Sequence, residues 1–341
     1  MTDAWTIQKL MDKKQQQEED FPAVKNRRKK KMFKVGIVGC GGIGMAHARS
    51  WSAIEGVKVA YACDLDEAKA KAMSEICGAE VITDMAKLPA DLDAVSVVTP
   101  PHAHYPVIKA LLNRGFNVFS EKPLTTDVAQ GEELVKLAAE KKVQLGVGFK
   151  MRYEPINQKA KELLGEVGQL VSIVTTKQQM FNPRPGGEWV KRTGAMYELS
   201  IHDFDLISFI TGKFPQKVLG ARLGHKRGWE KEDSFQALVA YDEGITASLQ
   251  GMYCDHTTFC FRDFTMTFLG ENGYMRVERP DRIIMHTNEY RVVEVGDPEK
   301  SAFVMELEHF KAAVEGKCAN TLKADDAVRM TKLIEEIRSF D

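Results

Sequence analysis

From residue 33 onward, short apolar runs alternate with longer stretches in which apolar and polar residues recur at helical spacing. The runs 33–38, 57–62, 94–98, 117–119 and 143–147 are rich in Val, Ile or Phe and are predicted as strands. Between them, 43–54, 66–76, 104–113 and 127–141 are predicted as helices, with Gly115 standing where a helix would stop. Alternation of this kind builds βαβ units and a parallel sheet, so residues 32–150 read as a doubly wound α/β domain. Beyond it the grammar changes. A helix at 154–164, a strand at 169–177 and a helix at 195–210 precede a succession of strand-like runs over 217–295. Asp242-Glu243-Gly244 and Glu271-Asn272-Gly273 read as hairpin turns, and helices at 303–314 and 324–337 close the chain. The second region, 151–341, is therefore expected to be an α+β domain with an open, mostly antiparallel sheet.

The first predicted strand runs directly into Gly39-Cys40-Gly41-Gly42-Ile43-Gly44, a GxGxxG sequence that opens a helix. Gly39 permits the tight turn, Gly41 lets the backbone approach a pyrophosphate, and Gly44 allows close packing of helix on sheet. The helix N-terminus, from Gly42 and Ile43, supplies free N–H groups to the anion. A glycine cluster alone reads equally as a turn. Asp64, at the end of the second strand and twenty residues past Gly44, adds a carboxylate at the spacing that meets the adenosine ribose. Its competing role is a helix N-cap before Glu67. Together the two features predict a Rossmann domain that binds a dinucleotide. Leu65 and Asp66 follow Asp64, so no Arg or Lys stands ready for a 2′-phosphate, and NAD is expected over NADP; Lys69 is the nearest exception.

Composition narrows the classes. The 341 residues carry 47 Lys plus Arg against 48 Asp plus Glu, without the basic surplus that a general nucleic-acid binder uses to displace counterions. No apolar run is long enough to span a bilayer, and residues 1–31 lack the apolar core of a secretory signal. A cytoplasmic enzyme with neither nucleic-acid nor membrane partners is expected. The six cysteines form no CxxC pair, which argues against a disulfide framework or a zinc site. Cys254, His256 and Cys260 lack a fourth ligand, and alternate strand residues face opposite sides, so no metal is expected. Residues 1–31 differ from the rest, with nine Lys/Arg and a glutamine run. They read as a flexible basic arm, a short amphipathic helix around Trp5 to Leu10, or an extension ahead of a start at Met32; a solvated tail is the expectation adopted.

Three further segments carry a family resemblance covering about residues 32–341. Thr99-Pro100-Pro101 is followed three residues later by His104, and Glu121-Lys122-Pro123 ends a predicted strand. Gly194 to Asp205 contains Glu198 four residues before His202, within Ile201-His202-Asp203-Phe204-Asp205. In order and spacing these resemble the oxidoreductase family named after glucose-fructose oxidoreductase, inositol dehydrogenase and a rhizopine catabolism protein. The last segment is most similar to the inositol-dehydrogenase branch, where the acid is generally Asp; Glu198 is one methylene longer. The resemblance implies a Rossmann domain followed by an open mixed sheet whose helices face the cofactor. It also implies cofactor contacts from Thr99, Pro100, His104, Glu121 and Lys122, and a homodimer or homotetramer.

Oxidising a secondary alcohol requires a base for the hydroxyl proton and a donor for charge developing on oxygen. Lys122, at the carboxyl edge of a strand, and His202 are expected to supply them, with Pro123 fixing the turn. Four residues apart on one predicted helix, Glu198 and His202 share a face, so Glu198 either orients the imidazole or holds a substrate hydroxyl. Asp205 partners the histidine or anchors the helix. Arg152 and Tyr153 fit a family position near the cleft, and Arg152 is expected at the substrate. Trp189 and Lys191, in the loop 182–193, shape the mouth of the site or cover the sheet. The function read from these residues is NAD-dependent hydride transfer at a cyclic polyol or sugar. A second reading keeps NAD bound and oxidises a sugar transiently for glycosidase or lyase chemistry, and a third is a non-catalytic dinucleotide-binding regulator.

Overall fold

β1 (Phe33–Val38) is buried at five of its six positions, and β4 (Ala94–Val97) at all four. Unbroken burial of this kind is what a parallel strand covered on both faces requires. A computed structural model describes residues 32–181, 187–255 and 262–340. The three readings of residues 1–31 therefore lie outside the described residues, as do His256 and Cys260.

The first sheet is parallel throughout, in the order β3-β2-β1-β4-β5-β6. Its other strands are β2 (Val57–Cys63), β3 (Glu80–Ile82), β5 (Val118–Glu121) and β6 (Leu145–Gly148). Helices α1 (Gly42–Ser52), α2 (Glu67–Cys77), α3 (Pro101–Asn113) and α4 (Val128–Lys141) connect them. β3 escapes the sequence pattern because it is a three-residue edge strand with only Ile82 buried. The strand order reverses between β1 and β4, which opens a crevice at their carboxyl ends.

After α5 (Pro155–Leu163) comes the eight-stranded second sheet, in the order β14-β13-β12-β11-β7-β10-β9-β8. Its strands are β7 (Leu170–Met180), β8 (Pro215–Gly224), β9 (Ser234–Tyr241), β10 (Thr246–Cys254), β11 (Arg262–Gly270), β12 (Gly273–Glu278), β13 (Arg282–His286) and β14 (Tyr290–Glu294). β7 and β10 run parallel and the other neighbours antiparallel. Both expected hairpin turns are present, between β9 and β10 and between β11 and β12.

One face of this sheet meets α6 (Ile201–Thr211), whose residues are nearly all buried, with Asp203 and Asp205 paired to Lys177 and Arg152 inside. On β11 the residues Phe264, Met266 and Phe268 point into this core, while Thr265, Thr267 and Leu269 are half-exposed. The strand is thus buried on one side only. The open face still exposes Val171, Val174, Leu219, Leu238 and Met252 on neighbouring strands.

The two closing helices, α7 (Ala302–Val314) and α8 (Ala324–Phe340), serve both sheets. Phe310 of α7 packs edge-on against Phe119 of β5, their centroids 5.3 Å apart, and Val147 N–H donates to Leu322 O at 3.0 Å. α8 lies against both α4 and β8. The end of the chain, expected within the second domain, therefore also completes the first.

Candidate active site

The glycine turn sits at the carboxyl end of β1. Gly39 has φ of +101°, and a Cβ at Gly44 would stand 2.1 Å from the Gly39 carbonyl oxygen, so α1 approaches the turn as only glycine allows. At Gly41 and Gly42 an added Cβ would meet nothing within 4 Å, leaving backbone open on the crevice side, with Ile43 half-exposed beside them. Asp64, at the end of β2, accepts from Cys40 N–H at 2.7 Å and from Asp66 N–H at 2.9 Å. The helix-capping role open to Asp64 belongs instead to Asp66, whose side chain accepts from Ala68 N–H. Lys69 reaches back to Asp66 at 3.6 Å. Past the end of β4, Thr99 Oγ1 is buried without a hydrogen-bond partner among the described residues, an orphaned hydroxyl at the crevice wall. Open glycine backbone, a carboxylate after β2 and an unsatisfied hydroxyl after β4 fit a dinucleotide laid across the switch point.

His104 is buried beneath this wall. Its Nδ1 lies 2.6 Å from Pro123 O and its Nε2 2.7 Å from Thr99 O, so it ties the Thr99-Pro100 loop to the Lys122-Pro123 turn, whose peptide bond is cis. Burial lowers its pKa from the ordinary histidine value, against the pull of the two carbonyls. His104 holds the loop from behind, and both of its ring nitrogens are already engaged with the backbone.

Lys122 emerges just beyond β5 and donates to Glu198 Oε2 at 2.7 Å and to Glu198 O at 3.2 Å. Glu121 turns the other way: Oε2 accepts from Lys122 N–H and Oε1 meets His47 Nε2, each at 3.1 Å. Sequence reading missed His47. Its signal was a polar residue on the α1 face shared with Gly44, Ala48 and Trp51, the face the helix buries.

Residues 195–210 do not form one regular helix. Met196–Ser200 is a π turn leading into α6, with i→i+5 bonding that is frequent at functional sites. The wider turn brings both the carboxylate and the carbonyl of Glu198 to one ammonium. Its entry is held by Glu232, which is buried, accepts from Met196 N–H and pairs with Arg338 at 2.9 Å. His202, in the first turn of α6, is 7% exposed and meets the edge of Phe149, just past β6. It thus stands at the same carboxyl edge of the first sheet as Lys122.

Arg152, expected at the substrate, is engaged by the protein along its whole guanidinium. It is 5% exposed, and Nε and Nη2 grip Asp205 at 2.9 and 2.5 Å. Nη2 also reaches Asp326 at 3.0 Å and Nη1 donates to Thr321 O at 2.6 Å. Burial works against its charge, but Asp205 and then Asp326 outweigh it and leave the guanidinium above its ordinary pKa. Arg152 is therefore a buried strut joining the start of the second domain to α6 and α8, with Nε, Nη1 and Nη2 all engaged by the protein. Asp205 resolves likewise: it anchors the helix through Arg152. Tyr153 packs on His309 of α7.

Trp189 packs with Leu199 and Tyr253, and Lys191, paired with Glu188, lines a cavity of about 960 Å³ that also holds Phe181, Trp229 and Arg227. Lys122, Glu198 and His202 are not among its lining residues, although Leu199 of the adjoining cluster directly follows Glu198.

A switch-point crevice fit for a dinucleotide, with Lys122 of the first domain meeting Glu198 of the second and His202 close by in sequence, is the arrangement of a two-domain Rossmann oxidoreductase. Residues 33–149 match the oxidoreductase family described by its NAD-binding Rossmann fold, and residues 157–276 match the GFO/IDH/MocA C-terminal domain. The chain belongs to the GFO/IDH/MocA oxidoreductase family, and its first domain is the NAD-binding one. It is 30% identical over 187 residues to an inositol 2-dehydrogenase of Rhizobium meliloti (strain 1021), covering 54% of this chain and 56% of that one. It is 27% identical over 217 residues to a UDP-N-acetylglucosamine 3-dehydrogenase of Acidithiobacillus ferrooxidans, covering 64% and 66%. The chain thus spans between half and two thirds of the length of these curated relatives. A solved putative myo-inositol dehydrogenase from Sinorhizobium meliloti 1021 superposes with a TM-score of 0.74 at 25% identity, covering 90% of this chain and 97% of that one. Apo scyllo-inositol dehydrogenase from Lactobacillus casei gives 0.74 and 25%, covering 91% and 96%.

Proposed function

We propose that the protein is an NAD-dependent dehydrogenase acting on a secondary hydroxyl of a cyclic polyol or sugar. The observation that carries this reading is the Lys122 ammonium, held 2.7 Å from Glu198 Oε2 at the sheet edge where His202 also stands. NAD, when bound, accepts the hydride. Lys122 donates to the reacting oxygen, which enters beside Glu198, and steadies the charge that develops there. His202, whose ordinary pKa of about 6.5 suits neutral pH, takes the hydroxyl proton. Glu198 aligns the ammonium and accepts from a neighbouring substrate hydroxyl. The inositol dehydrogenases among the relatives support a polyol substrate. A screen of inositols, aldoses and keto-sugars for NADH absorbance tests the reading. Net NADH formation with at least one polyol or sugar is expected; product without accumulating NADH would point instead to transient oxidation and lyase chemistry.

NAD is expected to bind well ahead of NADP. A 2′-phosphate placed about 4 Å from the Asp64 carboxylate would cost up to about 4 kcal/mol at an effective dielectric of 20. Lys69, the one cation expected to relieve this, is turned to Asp66. Titrating both cofactors checks it, and equal affinities would overturn the assignment.

The open face of the second sheet, with Val171, Val174, Leu219, Leu238 and Met252 exposed, is proposed to pack on a second copy of the chain. Sedimentation at micromolar concentration is expected to show a dimer or tetramer. Leu238→Lys with Val174→Lys should shift the species toward monomer.

A further inference from the structure

Both carboxylate oxygens of Glu306, on α7, are sealed from solvent and lack a hydrogen-bond partner among the described residues. Ligand-type atoms of Glu306, of His47 on α1 and of Glu121 at the end of β5 all lie within 4.8 Å of one another. His47 Nδ1 is also buried without a partner among the described residues, while its Nε2 meets Glu121. Neither His47 nor Glu306 has a part in the hydride chemistry proposed above.

Two carboxyl groups this close, away from water, do not both stay charged unless a cation joins them. The groups facing Glu306 are His47 from α1, Glu121 from the end of β5, and Lys150 and Tyr153 from the one-turn helix Lys150–Tyr153, while Lys122 acts on its neighbour Glu121. Burial disfavours charge on Glu121, but His47, Lys122 and Lys150 more than reverse this and hold its carboxyl below the usual range. For Glu306 burial comes first and the Glu121 charge adds to it; only Lys150, whose ammonium lies over the Phe303 ring, opposes them, and the carboxyl is raised well above its ordinary value. A divalent metal on His47, Glu121 and Glu306 would add two positive charges beside two ammonium groups. A proton satisfies Glu306 without that repulsion.

We propose that Glu306 is a neutral carboxylic acid at neutral pH, and that with His47 and Glu121 it forms a buried proton-holding site beneath the turn that carries Lys122. Its proton leaves Glu121 as the one carboxylate supporting the Lys122 N–H. Loss of that proton sets two like charges against each other under the same turn. Glu306 is thus a positioning residue, acting on Lys122 through Glu121.

The test compares the parent with Glu306→Gln in thermal unfolding from about pH 5 to about pH 8.5. Unfolded, Glu306 ionises near about 4.3. Folded, its raised pKa keeps the proton, so folding takes one up and the parent loses stability as pH rises toward the folded pKa. Glutamine does not titrate. The parent's Tm should therefore fall relative to that of Glu306→Gln by at least about 2 °C across the range. The parent-minus-variant infrared difference at neutral pH should contain the carbonyl stretch of a protonated carboxyl. A pH-independent Tm difference with no such band would overturn the proposal. So would EDTA lowering the parent's Tm, or Zn²⁺ or Mn²⁺ raising it but not the variant's, since the site would then hold a metal. If Glu306→Gln does not fold, Glu306→Met, similar in volume and without a titrating group, replaces it in both measurements.

Discussion

Lys122→Met should lower turnover at least about 100-fold on the best substrate while leaving NAD affinity within about tenfold, or about 1.4 kcal/mol. The asymmetry follows from position. In the proposed reading the Gly39–Gly44 turn and Asp64 take the far half of the dinucleotide, whereas Lys122 stands beyond β5 with its ammonium on Glu198. Methionine keeps the length of the stem and removes only the charge and its donors. His202→Asn should produce a similar loss, with residual activity climbing at alkaline pH as hydroxide takes over the proton. Stopped-flow turnover beside a cofactor titration separates the two effects. If both variants keep near-full turnover, the site has another base and the assignment of these residues fails.

Arg152→Met should destabilise the protein by about 3–5 kcal/mol, the cost of leaving a buried carboxylate without its partner. Asp205 would then face the interior alone, since both of its oxygens are held by this guanidinium, and Asp326 and Thr321 O would each lose a donor. Urea unfolding measures it. A substrate-contacting arginine would behave otherwise, with stability kept and the Michaelis constant raised, so one pair of measurements separates a strut from a binding residue.

The features legible in the sequence were those whose chemistry is local. The β1 run, the glycine turn and Asp64 lie within one βαβ unit, so their spacing carries the geometry. The Lys122 turn was legible through its resemblance to a family segment. What stayed hidden depends on partners far along the chain. Arg152 meets Asp205 at a separation of 53 residues and Asp326 at 174, and no local pattern distinguishes such an arginine from one that binds substrate. The π turn was read as ordinary helix because its entry is held by Glu232 and Arg338, 106 residues apart. β3 was lost for the opposite reason: three residues with one buried side chain give too little periodicity to detect.

The return of α7 onto the first sheet bears on how this chain emerges from the ribosome and how its parts can be exchanged. Phe310 lies against Phe119, and a side chain at Gly146 would collide with it at 2.8 Å, so the wall of the first sheet stays bare until translation has passed residue 310. A fragment ending near residue 150 would present that bare wall to solvent and should aggregate where the full chain does not. A chimaera that borrows the cofactor domain of another protein must therefore bring that donor's own closing helix, or redesign the face where Phe310 now sits.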